Sequence, residues 1–173
     1  MKTSKIGAVL VLLTLAFAQA PQAVGAETDF KAKVKTSMAL LKDKLNKYGK
    51  PRLEGTDTVD GKNAPVIYFG QQKQNNFYEA VDEVKKEVGG TATVFVKSGA
   101  EYVRVTTNVL KDDGSRAVGT ELAHNPAYDS INKGQAYYGK VDILGKPYET
   151  GYEPIKNAKG EVIGIYYVGY KQK

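Results

Sequence analysis

Between Gly89 and Asn108 the sequence reads GGTATVFVKSGAEYVRVTTN: two β-branched and aromatic runs, Thr91–Lys97 and Glu101–Asn108, joined by Ser98-Gly99-Ala100. Val, Thr, Phe and Tyr suit the pleated surface of a sheet, and so short a connection predicts a hairpin. An isolated hairpin is marginal in water, so this one needs further strands to pair with and a layer to cover them. Tyr137–Tyr170 supplies the strands. Tyr137–Leu144, Pro147–Ile155 and Val162–Tyr170 are β-rich and carry seven of the twelve tyrosines. They are separated by Gly145-Lys146 and by Asn157–Glu161, which contains Gly160. Such turns predict antiparallel meander pairing, and the fold expected is α+β with one antiparallel sheet.

The helical signals lie mainly before the sheet. In Glu27–Tyr48, Phe30, Val34, Met38, Leu41 and Leu45 recur at spacings of three and four, one apolar stripe on a lysine-rich helix ended by Gly49 and Pro51. That stripe packs on its own domain or pairs with a partner helix. Arg52–Asn63 is polar, has two glycines and reads as a loop, whereas Pro65–Phe69 reads as a strand. Asn75 or Asn76 is placed to cap a second helix whose apolar face is Phe77, Val81, Val84 and Val88, ended by Gly89-Gly90. Asp112-Asp113-Gly114 is a turn signal, and Asn125-Pro126 opens a short helix, Ala127–Lys133, stopped by Gly134.

Met1–Ala26 has the pattern of a secretory signal peptide: Lys2 and Lys5, an uncharged apolar run over Ile6–Ala18, then Val24-Gly25-Ala26 before a cleavage point at Glu27. The apolar run falls short of the roughly 20 residues that span a bilayer, although a retained anchor is the alternative. Residues 27–173 then form a single domain with its N-terminal helix at 27–48, exported to the periplasm or secreted. The chain has no cysteine, which excludes disulfides and thiolate metal sites. The net charge of +6 is scattered and interleaved with acids, as on a solvated surface, and no nucleic-acid partner is expected.

Arg104 is the residue that points to chemistry. A charged side chain inside a strand implies an edge position or an anionic partner. Alternation along the strand places Tyr102, Arg104 and Thr106 on one face and Val103, Val105 and Thr107 on the other. A guanidinium offers a carboxylate a bidentate fork, with Thr106 adding a hydroxyl. The alternative is an edge-strand arginine paired with Glu101 or Asp142. Tyr138, Tyr148 and Tyr152 are candidate pocket residues, since a buried phenol needs a partner. Arg116 either reaches the pocket from its loop or pins that loop to the domain. His124 is the only histidine, no Gly-x-Ser-x-Gly elbow is present, and Gly89-Gly90 precedes a strand, the reverse of a phosphate cradle. No cofactor or metal is called for, and catalysis is not expected.

GGTATVF, EYVRVTTNV, DGSRAVGT, GQAYYG, LGKPYETGYEPI and GEVIGIYYVGY, in this order, resemble the Cache domain family. The similarity is to the single Cache type described as a Cache 3/Cache 2 fusion, an extracytoplasmic sensor of bacterial chemotaxis receptors and sensor kinases. It covers roughly Asn63–Tyr170. The resemblance implies a PAS-like fold: a long N-terminal helix packed on an antiparallel sheet of five or six strands. It implies reversible binding of a small organic acid or similar metabolite on one face of that sheet, by a receptor domain rather than an enzyme. Related di- and tricarboxylate sensors carry an arginine at the strand position of Arg104. The partners implied are that ligand and a membrane receptor or transporter, with a homodimer through the N-terminal helix as a further expectation. Such domains are usually flanked by membrane helices; here a stand-alone domain without its own signalling output is expected.

Overall fold

The computed structural model describes residues 23–172, with side chains from Asp29 onward. The expected signal peptide lies outside the described residues apart from Ala23–Ala26, which begin the first helix. Among the described residues no helix is long and apolar enough to cross a membrane.

Helix α1 (Ala23–Asn46) leads into a hairpin of β1 (Pro51–Val59) and β2 (Lys62–Phe69), then a short β3 (Gln72–Lys73) and helix α2 (Glu79–Val88). The main sheet follows: β4 (Thr91–Ser98), β5 (Glu101–Thr107), and, after a long loop and helix α3 (Pro126–Asn132), β6 (Tyr137–Ile143), β7 (Lys146–Lys156) and β8 (Val162–Lys171). Its five strands run in the order β5-β4-β8-β7-β6, and every pairing is antiparallel. This is the PAS-like α+β architecture expected.

Two apolar layers sandwich the sheet. On one side, Val34, Met38, Leu41 and Leu45 of α1 and Val81 and Val84 of α2 meet Val94, Val96, Val103, Val105 and Val168. The α1 stripe is therefore spent inside its own domain, the four residues being at most 1% exposed. On the other side, Ala127 and Ile131 of α3 and Leu122 of the preceding loop cover Phe95, Tyr102, Tyr152, Ile165 and Tyr167.

Three local expectations are corrected. Arg52–Asn63 is not a loop: β1 occupies most of it and pairs with β2 across Asp60-Gly61, whose φ values of 47° and 76° make the left-handed pair of a tight hairpin turn. A second sheet, β1-β2-β3, therefore accompanies the main one. Neither Asn75 nor Asn76 caps α2, which starts after Tyr78 without a side-chain cap. Asn75 instead accepts from the Ile67 amide at 3.1 Å and donates to the Pro65 carbonyl at 3.1 Å, holding the edge of β2. Finally, β5 is bulged. Phe95 pairs with Arg104 but Val94 pairs with Thr106, so Val105 is extra and the alternation breaks between Arg104 and Thr106. Arg104 stays on the α3 face with Tyr102, whereas Thr106 turns to the α1/α2 face and donates to the Phe77 carbonyl at 2.6 Å.

Candidate functional site

β5 ends the strand order but is not a bare edge. Residues 117–122 run alongside it: the Arg104 amide donates to the Thr120 carbonyl at 2.9 Å, the Gly119 amide to the Arg104 carbonyl at 2.9 Å, and the Leu122 amide to the Tyr102 carbonyl at 2.9 Å. Gly119 is required where this segment passes the β1–β2 turn. Its φ is +76°, and a Cβ there would lie 2.8 Å from Asp60 Cβ. The same segment ends in Asn125, whose side chain caps α3 by accepting from the Ala127 and Tyr128 amides at 2.9 and 3.2 Å. The loop is thus fixed at both ends over the face that carries Arg104.

Arg104 is only 3% exposed. Its guanidinium stacks on the Phe95 ring, 4.8 Å from the centroid, and Nη1 donates to Thr120 Oγ1, which in turn donates to the Ala117 carbonyl. Arg104 Nε has no acceptor among the described residues. Neither acid that could explain an edge arginine is engaged with it: Glu101 holds His124 at 3.0 Å, and Asp142 accepts from the Gly145 amide at 2.6 Å. Burial pulls the guanidinium's pKa below its ordinary value, opposed only by the fields of Tyr167 and Tyr152. A cation this deep without a carboxylate is an electrostatic deficit that an anion would relieve.

Beside it lies a cavity of about 70 Å³ bounded by Arg104, Leu122, Asn125, Ile143 and Tyr152, with Glu121 and Asp142 also lining it. Tyr152 is fully buried, its ring centroid 5.0 Å from that of Tyr167, and its hydroxyl has no partner among the described residues. Burial pushes its pKa well above the ordinary phenol value, then Tyr167 adds to the rise and Arg104 opposes it. Tyr152 is therefore a protonated donor near a guanidinium with a spare N–H, the donor set that a single carboxylate group satisfies.

The fold brings together Arg104 and Tyr152 of the residues expected from sequence. Tyr148 is buried on the same face but lies further along β7, against Gly169, and does not line the cavity. Thr106 is removed by the bulge. Tyr138 faces α1, where its ring covers Gly151 and its hydroxyl donates to Glu153 at 2.6 Å. Arg116 pins its loop to α2 through a bidentate pair with Asp82, both contacts 2.8 Å, a 2.7 Å bond to the Thr107 carbonyl and the Tyr78 ring beneath it. Thr120, Leu122 and Tyr167 are not among the site residues expected from sequence, and Asn125 is expected there only as the opening of α3. Three belong to a segment without periodicity, and Tyr167 was hidden in the run Tyr166-Tyr167, whose members face opposite layers.

A family model for the Cache 3/Cache 2 fusion domain matches residues 19–173. No curated protein matches the chain.

Proposed function

The chain belongs to the Cache 3/Cache 2 fusion domain family, and from that premise we propose that this domain senses a short organic acid outside the cytoplasm. Cache domains are generally extracytoplasmic small-molecule sensing domains. The observation that carries the carboxylate reading is the buried Arg104, with no ion pair among the described residues, beside a Tyr152 hydroxyl that has no partner among them. Drug-sized ligand pockets span about 300–1,000 Å³, so a cavity of about 70 Å³ favours an acid of a few heavy atoms, on the scale of acetate or propionate. The carboxylate takes the Arg104 fork and the Tyr152 hydroxyl, and its short chain meets Leu122 and Ile143. Binding is reversible and involves no covalent step. In this reading the occupied domain is what a membrane receptor or transporter recognises, and export through Met1–Ala26 places it there.

Calorimetric titration with acetate and propionate tests the proposal. Wild type should bind at least one of them, and Arg104→Met, which keeps the apolar stem over Phe95, should lose about 10- to 100-fold in affinity. No heat and no thermal shift with any short acid would overturn the carboxylate reading. Undiminished binding by Arg104→Met would overturn the site.

A further inference from the structure

The opposite face of β7 carries a second buried polar atom without a hydrogen-bond partner among the described residues. Glu149 is 2% exposed, lies next to Tyr170 across the β7–β8 ladder, and points away from the Arg104 cavity toward α1. Its Oε2 has no hydrogen-bond partner among the described residues. It lines a cavity of about 130 Å³ whose other walls include Val34, Tyr138 and the α1 lysines Lys31 and Lys35. Two of these walls, the Tyr138 ring and Val34, pack directly on Gly151, where a Cβ would lie 2.7 Å from the ring and 3.0 Å from Val34.

The charges are arranged in depth. A carboxylate sits at the base, and the ammonium groups belong to the exposed side of α1. Lys35 forms no ion pair among the described residues. A simple anion entering this cavity is repelled by Glu149, and a simple cation must pass the lysines. A molecule carrying both charges a few bonds apart meets both. We infer that this α1-side cavity is a second ligand site, distinct from the Arg104 cavity, and that it takes a compact zwitterion whose ammonium group donates to Glu149 and whose anionic group faces Lys35. The site does not depend on the carboxylate-sensing proposal, since it uses the other face of the sheet and none of the same side chains.

Glycine and β-alanine serve as probes, with methylammonium and acetate as single-charge controls, read by amide NMR shifts and by melting temperature. One or both zwitterions should shift amides around Lys35 and Glu149, more strongly than either control, and should do so undiminished in Arg104→Met. Glu149→Gln keeps the shape of the side chain and should weaken the zwitterion response about tenfold or more. Without probe, the same variant should melt no lower than wild type, because it removes a buried carboxylate one of whose oxygens has no hydrogen-bond partner among the described residues. Zwitterions that leave these amides unmoved would overturn the site. So would a Glu149→Gln protein that melts well below wild type, which would mean the carboxylate is held structurally by a lysine. Methylammonium acting as strongly as β-alanine would overturn the zwitterion assignment.

Discussion

Leaving a buried hydroxyl without a partner costs about 1–3 kcal/mol, and Tyr152 carries such a hydroxyl beside Arg104. Its removal should therefore act in opposite directions on the empty and the occupied domain. Tyr152→Phe is expected to leave urea stability unchanged or raise it by up to about 1 kcal/mol, while weakening short-acid binding roughly tenfold. A loss of stability in the empty protein would show that the hydroxyl is satisfied internally. Arg116 offers the contrasting case. Its pair with Asp82 is half exposed and screened, but the bond to the Thr107 carbonyl and the stacking on Tyr78 add to it. Arg116→Gln should lower stability by about 1 kcal/mol and leave acid affinity unchanged, a result read from paired denaturation and titration curves. From sequence, Arg104 is the ligand candidate and Arg116 either reaches the pocket or pins its loop; burial and partners separate the two arginines. Residue type indicates that Arg104 needs an edge position or an anionic partner, but not that Glu101 and Asp142 are both engaged elsewhere.

At the level of elements, strong periodicity was legible and weak periodicity was not. The α1 stripe, the β4–β5 hairpin and the three closing strands could be read because each buries a regular set of side chains. β1 could not, since most of it is exposed and only Val59 is fully buried. The Asp60-Gly61 turn is the available signal, but no apolar alternation flanks it. Gly61 sits at φ 76°, so Gly61→Ala should cost about 1 kcal/mol, measured as a shift in the urea midpoint. The β5 bulge was equally hidden, because one extra residue leaves no mark in composition, yet it decides which layer receives Thr106. In α1, Leu41 is fully buried between helix and sheet. Leu41→Ala should destabilise the domain by about 2–5 kcal/mol, and a smaller loss would indicate that α1 is only loosely docked.

For the whole molecule, acid should be the weak side. Hydrogen bonds from Lys73 to Asp57, from Lys44 to Glu83 and from Lys146 to Asp112 hold these carboxyls below their ordinary values of 3.8 to 4.5. A carboxyl with a lower pKa in the folded state stabilises the fold above its unfolded value, and that contribution disappears as pH falls through the folded value. Melting temperature should therefore be flat from neutral pH to about 5 and decline below about 4; a decline beginning near pH 6 would assign the loss to other groups. The proposed export makes a separate prediction: the intact mass of protein recovered outside the cytoplasm should correspond to a chain beginning at Glu27, and a retained Met1–Ala26 would contradict it. The layering of β7 also bears on how chains of this kind can vary in length. Glu149 serves one side of the sheet, while Tyr148 and Tyr152 serve the other. Deleting one residue from this stretch would not merely shorten a strand; it would exchange the two sides, carrying a carboxylate into the arginine's chamber and phenols under α1. Substitutions here can be absorbed one at a time, but insertions and deletions cannot, so length differences among relatives should collect in exposed turns such as Asn157–Glu161.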